Sequence, residues 1–173
     1  NQWYDRDIDF KMERTKNRPI PQGKIEPTDA FAFGLLGSIL SVMIIGLSIN
    51  WFAGFFLCFT IIFYAFFYTV ILKRYTDQNI VVGGASGAFP PMIGFICATG
   101  NLALETFILF GIIFLWTPPH FWSLALKTKM EYRQDNIPML PNTRGDKITK
   151  IQILIYSISV VLFSTILYFL EYN

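Results

Sequence analysis

The chain has 173 residues, 53% of them hydrophobic and 17% aromatic, with a formal net charge of +2. That composition excludes an ordinary water-soluble domain, and so small a charge excess carries no sign of a nucleic-acid partner. Two cysteines, Cys58 and Cys97, fall in apolar runs without CxxC spacing, so packing rather than a disulfide or zinc site is their expected role.

The first 27 residues form a charged segment. No Pro or Gly interrupts Asn1 to about Arg14, which predicts a helix there, and Pro19, Pro21 and Gly23 then turn the chain. On such a helix Asn1, Asp5 and Asp9, spaced i, i+4, i+8, share one face, while Asp7 points elsewhere into solvent. Windows of about 20 apolar residues, enough to cross a hydrocarbon core, then predict five spans. They are Asp29–Ile49, Trp51–Leu72, Ile80–Thr99, Leu102–Leu126 and Ile148–Leu170. The third carries Gly83, Gly84, Gly87, Pro90, Pro91 and Gly94, and its prolines predict a kinked element lining the bundle interior. The fourth carries a similar interruption at Pro118-Pro119, followed by His120. Pro138 and Pro141 limit helix beyond Ile137.

All 14 Lys and Arg lie in residues 1–27, 73–79 and 127–150, and the turns near Asn50 and Asn101 carry none. The positive-inside rule then puts the three charged segments on the cytoplasmic or mitochondrial-matrix face of the lipid bilayer. Two acidic clusters therefore face the same side: Asn1, Asp5 and Asp9 in the first segment, Glu131 and Asp135 in the loop at 127–147.

Carboxylates facing one another above an apolar pocket suit Mg²⁺, which takes oxygen ligands from one or two carboxylates plus substrate phosphates. The plainer reading of the same spacing is a solvated helix face, since i,i+4 acids are common on exposed helices. Arg14, Arg18, Lys73 and Arg74 offer donors to phosphate oxygens. As juxtamembrane cations they serve equally for topology and lipid headgroups. His120, the one histidine, is either a haem-iron ligand or a hydrogen-bonded structural residue. Tyr68 and Tyr132 are candidates for stabilising a cation by their ring faces, against a general reading of the aromatics as lipid-facing bulk.

The stretch Asn1-x2-Tyr4-Asp5-x3-Asp9-x2-Met12-x-Arg14-Thr15-x2-Arg18-Pro19 resembles the first aspartate-rich motif of UbiA-type intramembrane prenyltransferases, and more narrowly of their haem-farnesylating branch. Tyr68-Thr69-x2-Leu72-Lys73-Arg74, Asn79-Ile80-Val81-x-Gly83-Gly84-x2-Gly87-Ala88-x-Pro90-Pro91-x2-Gly94, Pro119-His120-Phe121 and Tyr132-x3-Asn136-Ile137-Pro138-Met139-Leu140-Pro141 agree with it in order. Glu131 and Asp135 depart from the pattern, which usually has Asp and a small residue there.

The resemblance implies an all-α, polytopic transmembrane bundle forming one prenyltransferase domain over residues 1–173, with acidic loops at 1–27 and 127–147. It further implies nine spans in all, the five here being the third to seventh, with two more at each end. The implied activity is Mg²⁺-dependent transfer of farnesyl from farnesyl diphosphate to the 2-vinyl group of haem b. The metal ligands would be Asn1, Asp5, Asp9, Glu131 and Asp135, and the catalytic residues Asp5, Asp9, Lys73 and Tyr132. Arg14, Arg18, Lys73 and Arg74 would hold the diphosphate, and His120 the haem. Haem A synthase or the oxidase assembly machinery is an implied partner. Two other readings compete: a prenyltransferase acting on a phenolic or quinone precursor, and a transporter segment with broken helices. A transporter predicts polar residues at mid-span, where these spans have mainly Gly, Ser, Thr and aromatics.

Overall fold

The computed structural model describes residues 1–13, 15–130 and 138–171. Among the described residues there is no strand. The elements are α1 (Arg6–Lys11), α2 (Pro27–Ser48), α3 (Trp51–Ile62), a π-helix (Phe63–Leu72), α4 (Lys73–Tyr75), α5 (Asn79–Thr99), α6 (Leu104–Lys127), α7 (Leu140–Thr143) and α8 (Gly145–Glu171). Five stretches among the described residues are long and apolar enough to cross a membrane: Pro27–Ser48, Trp51–Leu72, Asn79–Thr99, Leu104–Lys127 and Gly145–Ile166. The chain is thus an all-α, multi-pass membrane bundle.

Each long helix packs on its neighbours in sequence, α2 on α3, α3 on α5, α5 on α6 and α6 on α8. Lipid supplies no hydrophobic drive between helices, so close backbone approach must do this work. The glycines show it. A Cβ on Gly84 would meet Thr117 of α6 at 3.0 Å, and one on Gly111 would run into the Phe163 ring of α8. The third span is the most enclosed, with 39% of its apolar window buried against 6% for the first. At its centre Phe89 meets Phe56, Phe59 and Phe63 edge-on at 5.6–5.8 Å, a favourable geometry for aromatic quadrupoles. A second cluster, Ile80, Trp122 and Leu140, seals the end of the bundle near α7, with Tyr156 edge-on to Trp122.

The structure alters one expectation from the sequence and adds a feature that the sequence did not predict. The helix expected from Asn1 to about Arg14 is confined to Arg6–Lys11, because Met12 turns to an extended conformation and buries its side chain. The backbone stays helical through Pro90-Pro91 and Pro118-Pro119, as a proline-kinked helix also does. Both Pro118 and Pro119 are buried, so packing confines the backbone where two donors are missing. The second span departs from α winding: its last ten residues, Phe63–Leu72, wind as a π-helix. Such wide turns are rare and concentrate at functional sites. Here the Thr69 hydroxyl, buried, donates to the Tyr64 carbonyl at 2.9 Å, and the Tyr64 and Tyr68 rings stack at 5.4 Å.

Candidate active site

The π-helix delivers Lys73 to the end of the second span, and there Lys73 Nζ meets Asp5 Oδ2 at 2.5 Å. Arg18 Nη1 meets Asp9 Oδ2 at 2.7 Å. Both carboxylates are buried, Asp5 to 4% and Asp9 to 3% relative exposure, whereas Asp7 is exposed. The plainer reading of Asp5 and Asp9 as a solvated face therefore does not hold. A lone buried carboxylate would be prohibitively desolvated, and each of these has a cation in hydrogen-bond contact.

The local chain explains the placement. Asp5 precedes α1 and its carbonyl accepts from Asp9 N at 2.8 Å, so the two acids stand one turn apart. The chain then folds back through turns: Thr15 Oγ1 donates to the Asp9 carbonyl at 3.1 Å, and Arg18 N to the Thr15 carbonyl at 2.9 Å. That return brings the Arg18 guanidinium to Asp9. Asn1 is exposed, and its carbonyl accepts from Asp5 N at 2.9 Å. Trp3 anchors the loop to α2 by its ring contact with Phe31 at 4.8 Å.

The third charged segment meets the same end. Arg144 Nε donates to Asp77 Oδ2 at 2.7 Å, and Thr143 Oγ1 donates to the same oxygen at 3.0 Å. Burial pushes the Asp77 carboxyl up, but hydrogen bonds from Arg144, Gln78 and Thr143 and the Arg144 charge outweigh it. The net result is a carboxyl held below its ordinary value. Inside that clasp the Asn79 amide donates to the carbonyls of Lys73 and Pro138, both at 3.4 Å. Residues 1–18, 73–79 and 138–144 thus converge.

Arg14, Glu131, Tyr132 and Asp135 lie outside the described residues, as does the Arg74 side chain. Among the described residues no three His, Cys, Asp or Glu side chains gather as a metal cluster.

The whole chain, residues 1–173, matches the sequence model of the UbiA prenyltransferase family. The chain belongs to that family. Curated relatives include proteins named protoheme IX farnesyltransferase from Bartonella tribocorum, 60% identical over 165 residues (95% of this chain, 53% of that protein), and Bartonella henselae, 61% identical over 158 residues (91% and 51%). The protein of that name from Beijerinckia indica is 57% identical over 158 residues (91% and 49%). The chain spans about half the length of the curated relatives it matches. No solved structure matches it.

In this UbiA-family chain the donor set at Asp5 and Asp9 fits a hard divalent cation. It consists of carboxylate oxygens, and a carboxylate has about four lone-pair positions, so an ion pair and a metal bond can share one. Two acids would complete only part of an octahedral shell, leaving places for water and phosphate oxygens. His120 lines a groove of about 300 Å³ between α6 and α8 with Trp116, Pro119, Ser123, Ile153, Ser157 and Val160, and none of Asp5, Asp9, Arg18 and Lys73 borders it. The Trp116 ring stacks on the imidazole at 4.5 Å. Spacing in the sequence did not point to Asp77, Arg144 or Asn79. The local signal for them was thin, two polar side chains at the start of an apolar span, with partners some 60 or more residues away.

Proposed function

We propose that this chain forms the substrate-binding core of an enzyme that farnesylates haem b, giving haem O for haem-copper oxidases. The observation that carries the reading is about 60% identity, over nine-tenths of the chain, to proteins named protoheme IX farnesyltransferase. The buried acid–base pairs at the convergence of the charged segments support it chemically.

Asp5 and Asp9, with Asn1, Glu131 and Asp135, would hold Mg²⁺, whose charge would neutralise a departing diphosphate. Lys73 and Arg18, already beside those carboxylates, would take the diphosphate oxygens together with Arg14 and Arg74. The C1–O bond of farnesyl diphosphate breaks with its electron pair leaving on diphosphate. The allylic cation is taken up by the haem 2-vinyl carbon, and water adds to the resulting cation with loss of a proton. The aromatic interior around Phe89 keeps water from the first cation, and Tyr132 would face it from the second acidic loop. The His120 groove, with its stacked indole and a lining of both apolar side chains and serines, would take one face of a porphyrin. By positive-inside asymmetry the converging loops would face the cytoplasm at a bacterial inner membrane or the matrix at a mitochondrial one.

The test is to supply membranes containing the protein with farnesyl diphosphate, haem b and Mg²⁺ and to look for haem O by mass. Formation of haem O that stops on metal chelation is the expected result. Formation undiminished by complete chelation, or by Asp5→Asn in protein that still inserts, rejects the site.

A further inference from the structure

We propose that Asn79 is a positioning residue for Lys73: its buried amide ties the backbone from which Lys73 reaches Asp5 to the backbone of the segment at Pro138. Its effect on turnover rests on the reading of Lys73 as a diphosphate-binding ammonium; the tether itself does not.

Asn79 is the first residue of α5 and is 1% exposed. The carbonyl of Lys73 lies near the end of α4, where the terminal carbonyls of a helix have no partner within it. The Pro138 carbonyl lies 59 residues further along the chain from Asn79. Both accept from the one Asn79 nitrogen, at the long end of hydrogen-bond reach. Of the side chains of this size, a primary amide alone offers two N–H groups on a single atom with no charge. The amide cannot be turned round, since its oxygen would then face two carbonyl oxygens. Its Oδ1 is buried with no hydrogen-bond partner. A buried acceptor left unpaired is destabilising, so the residue's benefit lies in the two bonds it donates. Aspartate has the same shape but would set a carboxylate against both carbonyls.

The experiment compares wild type, Asn79→Asp, Asn79→Ala and Asp5→Asn in the protein's native membranes. Lysines are labelled briefly with acetic anhydride and read by mass spectrometry, with exposed Lys127 as the internal reference. Asp5→Asn removes the Lys73 ion pair and sets the response of a released ammonium. If Asn79 positions Lys73, both Asn79 variants raise Lys73 labelling towards that level, by about threefold or more, while Lys127 is unchanged. In the same membranes KM for farnesyl diphosphate rises about tenfold and KM for haem does not move. Lys73 labelling at the wild-type level in both variants overturns the proposal, as does a rise shared equally by Lys127. Should Asn79→Asp fail to insert, Asn79→Ala decides alone. The labelling uses neither substrate, so a wild type that makes no haem O sinks the proposed function and leaves the tether standing.

Discussion

Asp5 and Lys73 lie 68 residues apart in the chain and 2.5 Å apart in space, joining the first charged loop to the end of the second span. The Asp5 side chain is almost fully buried, and the Lys73 side chain is 26% exposed. Removing Lys73 strips the buried charge of this ion pair. Lys73→Met is therefore expected to destabilise the protein by about 3 kcal/mol, the low end for a broken buried pair. The pair removed together, Asp5→Asn with Lys73→Met, is expected to recover most of that loss in thermal melts of detergent-solubilised protein. Activity is expected to stay lost in both.

The Asp77 clasp is expected to respond to acid. Its folded carboxyl titrates below the ordinary value of 3.8. A group with a depressed folded value contributes stability that is fully present above the unfolded value and lost as pH falls through the folded one. Wild type is expected to melt above Asp77→Asn at neutral pH, and the gap is expected to close below about pH 4. A gap that widens in acid contradicts the clasp.

Tyr68 stands where Gly83 has no side chain. A Cβ at Gly83 would collide with the Tyr68 ring, so Gly83→Ala must displace that ring or part α5 from the π-helix. The expected cost is about 1–3 kcal/mol, as for overpacked sites generally. Tyr68→Ala is expected to relieve it in the double variant, read as a non-additive cycle of melting temperatures.

His120→Ala is expected to weaken haem binding to the membranes about tenfold or more, followed by absorbance titration, with the KM for farnesyl diphosphate unchanged. Among the described residues, the groove shares none with the Asp5 and Asp9 ion pairs. Equal losses for both substrates would place the histidine in a shared structural role.

The spans were legible because lipid demands long apolar helices, and their ends were marked by Lys and Arg. Asp5, Asp9, Arg18 and Lys73 also stood out singly. The pairing of Asp5 with Lys73 did not, since spacing along one segment says nothing of contact with another 68 residues away. The π winding of Phe63–Leu72 was hidden for a different reason. It is a shift in hydrogen-bond register, not in composition, and an aromatic-rich span reads alike in either winding.

At the end of α5 remote from Asn79, the Asn50 side chain accepts from Ala53 N at 2.8 Å and donates to the Ile96 carbonyl at 3.1 Å. The central helix is therefore stitched by an asparagine at each headgroup level, while its greasy middle touches its neighbours through rings and glycines. Those smooth surfaces could slide. The two stitches set the height of the helix in the membrane, so a single inserted residue within α5, a rise of about 1.5 Å, would pull one of them open.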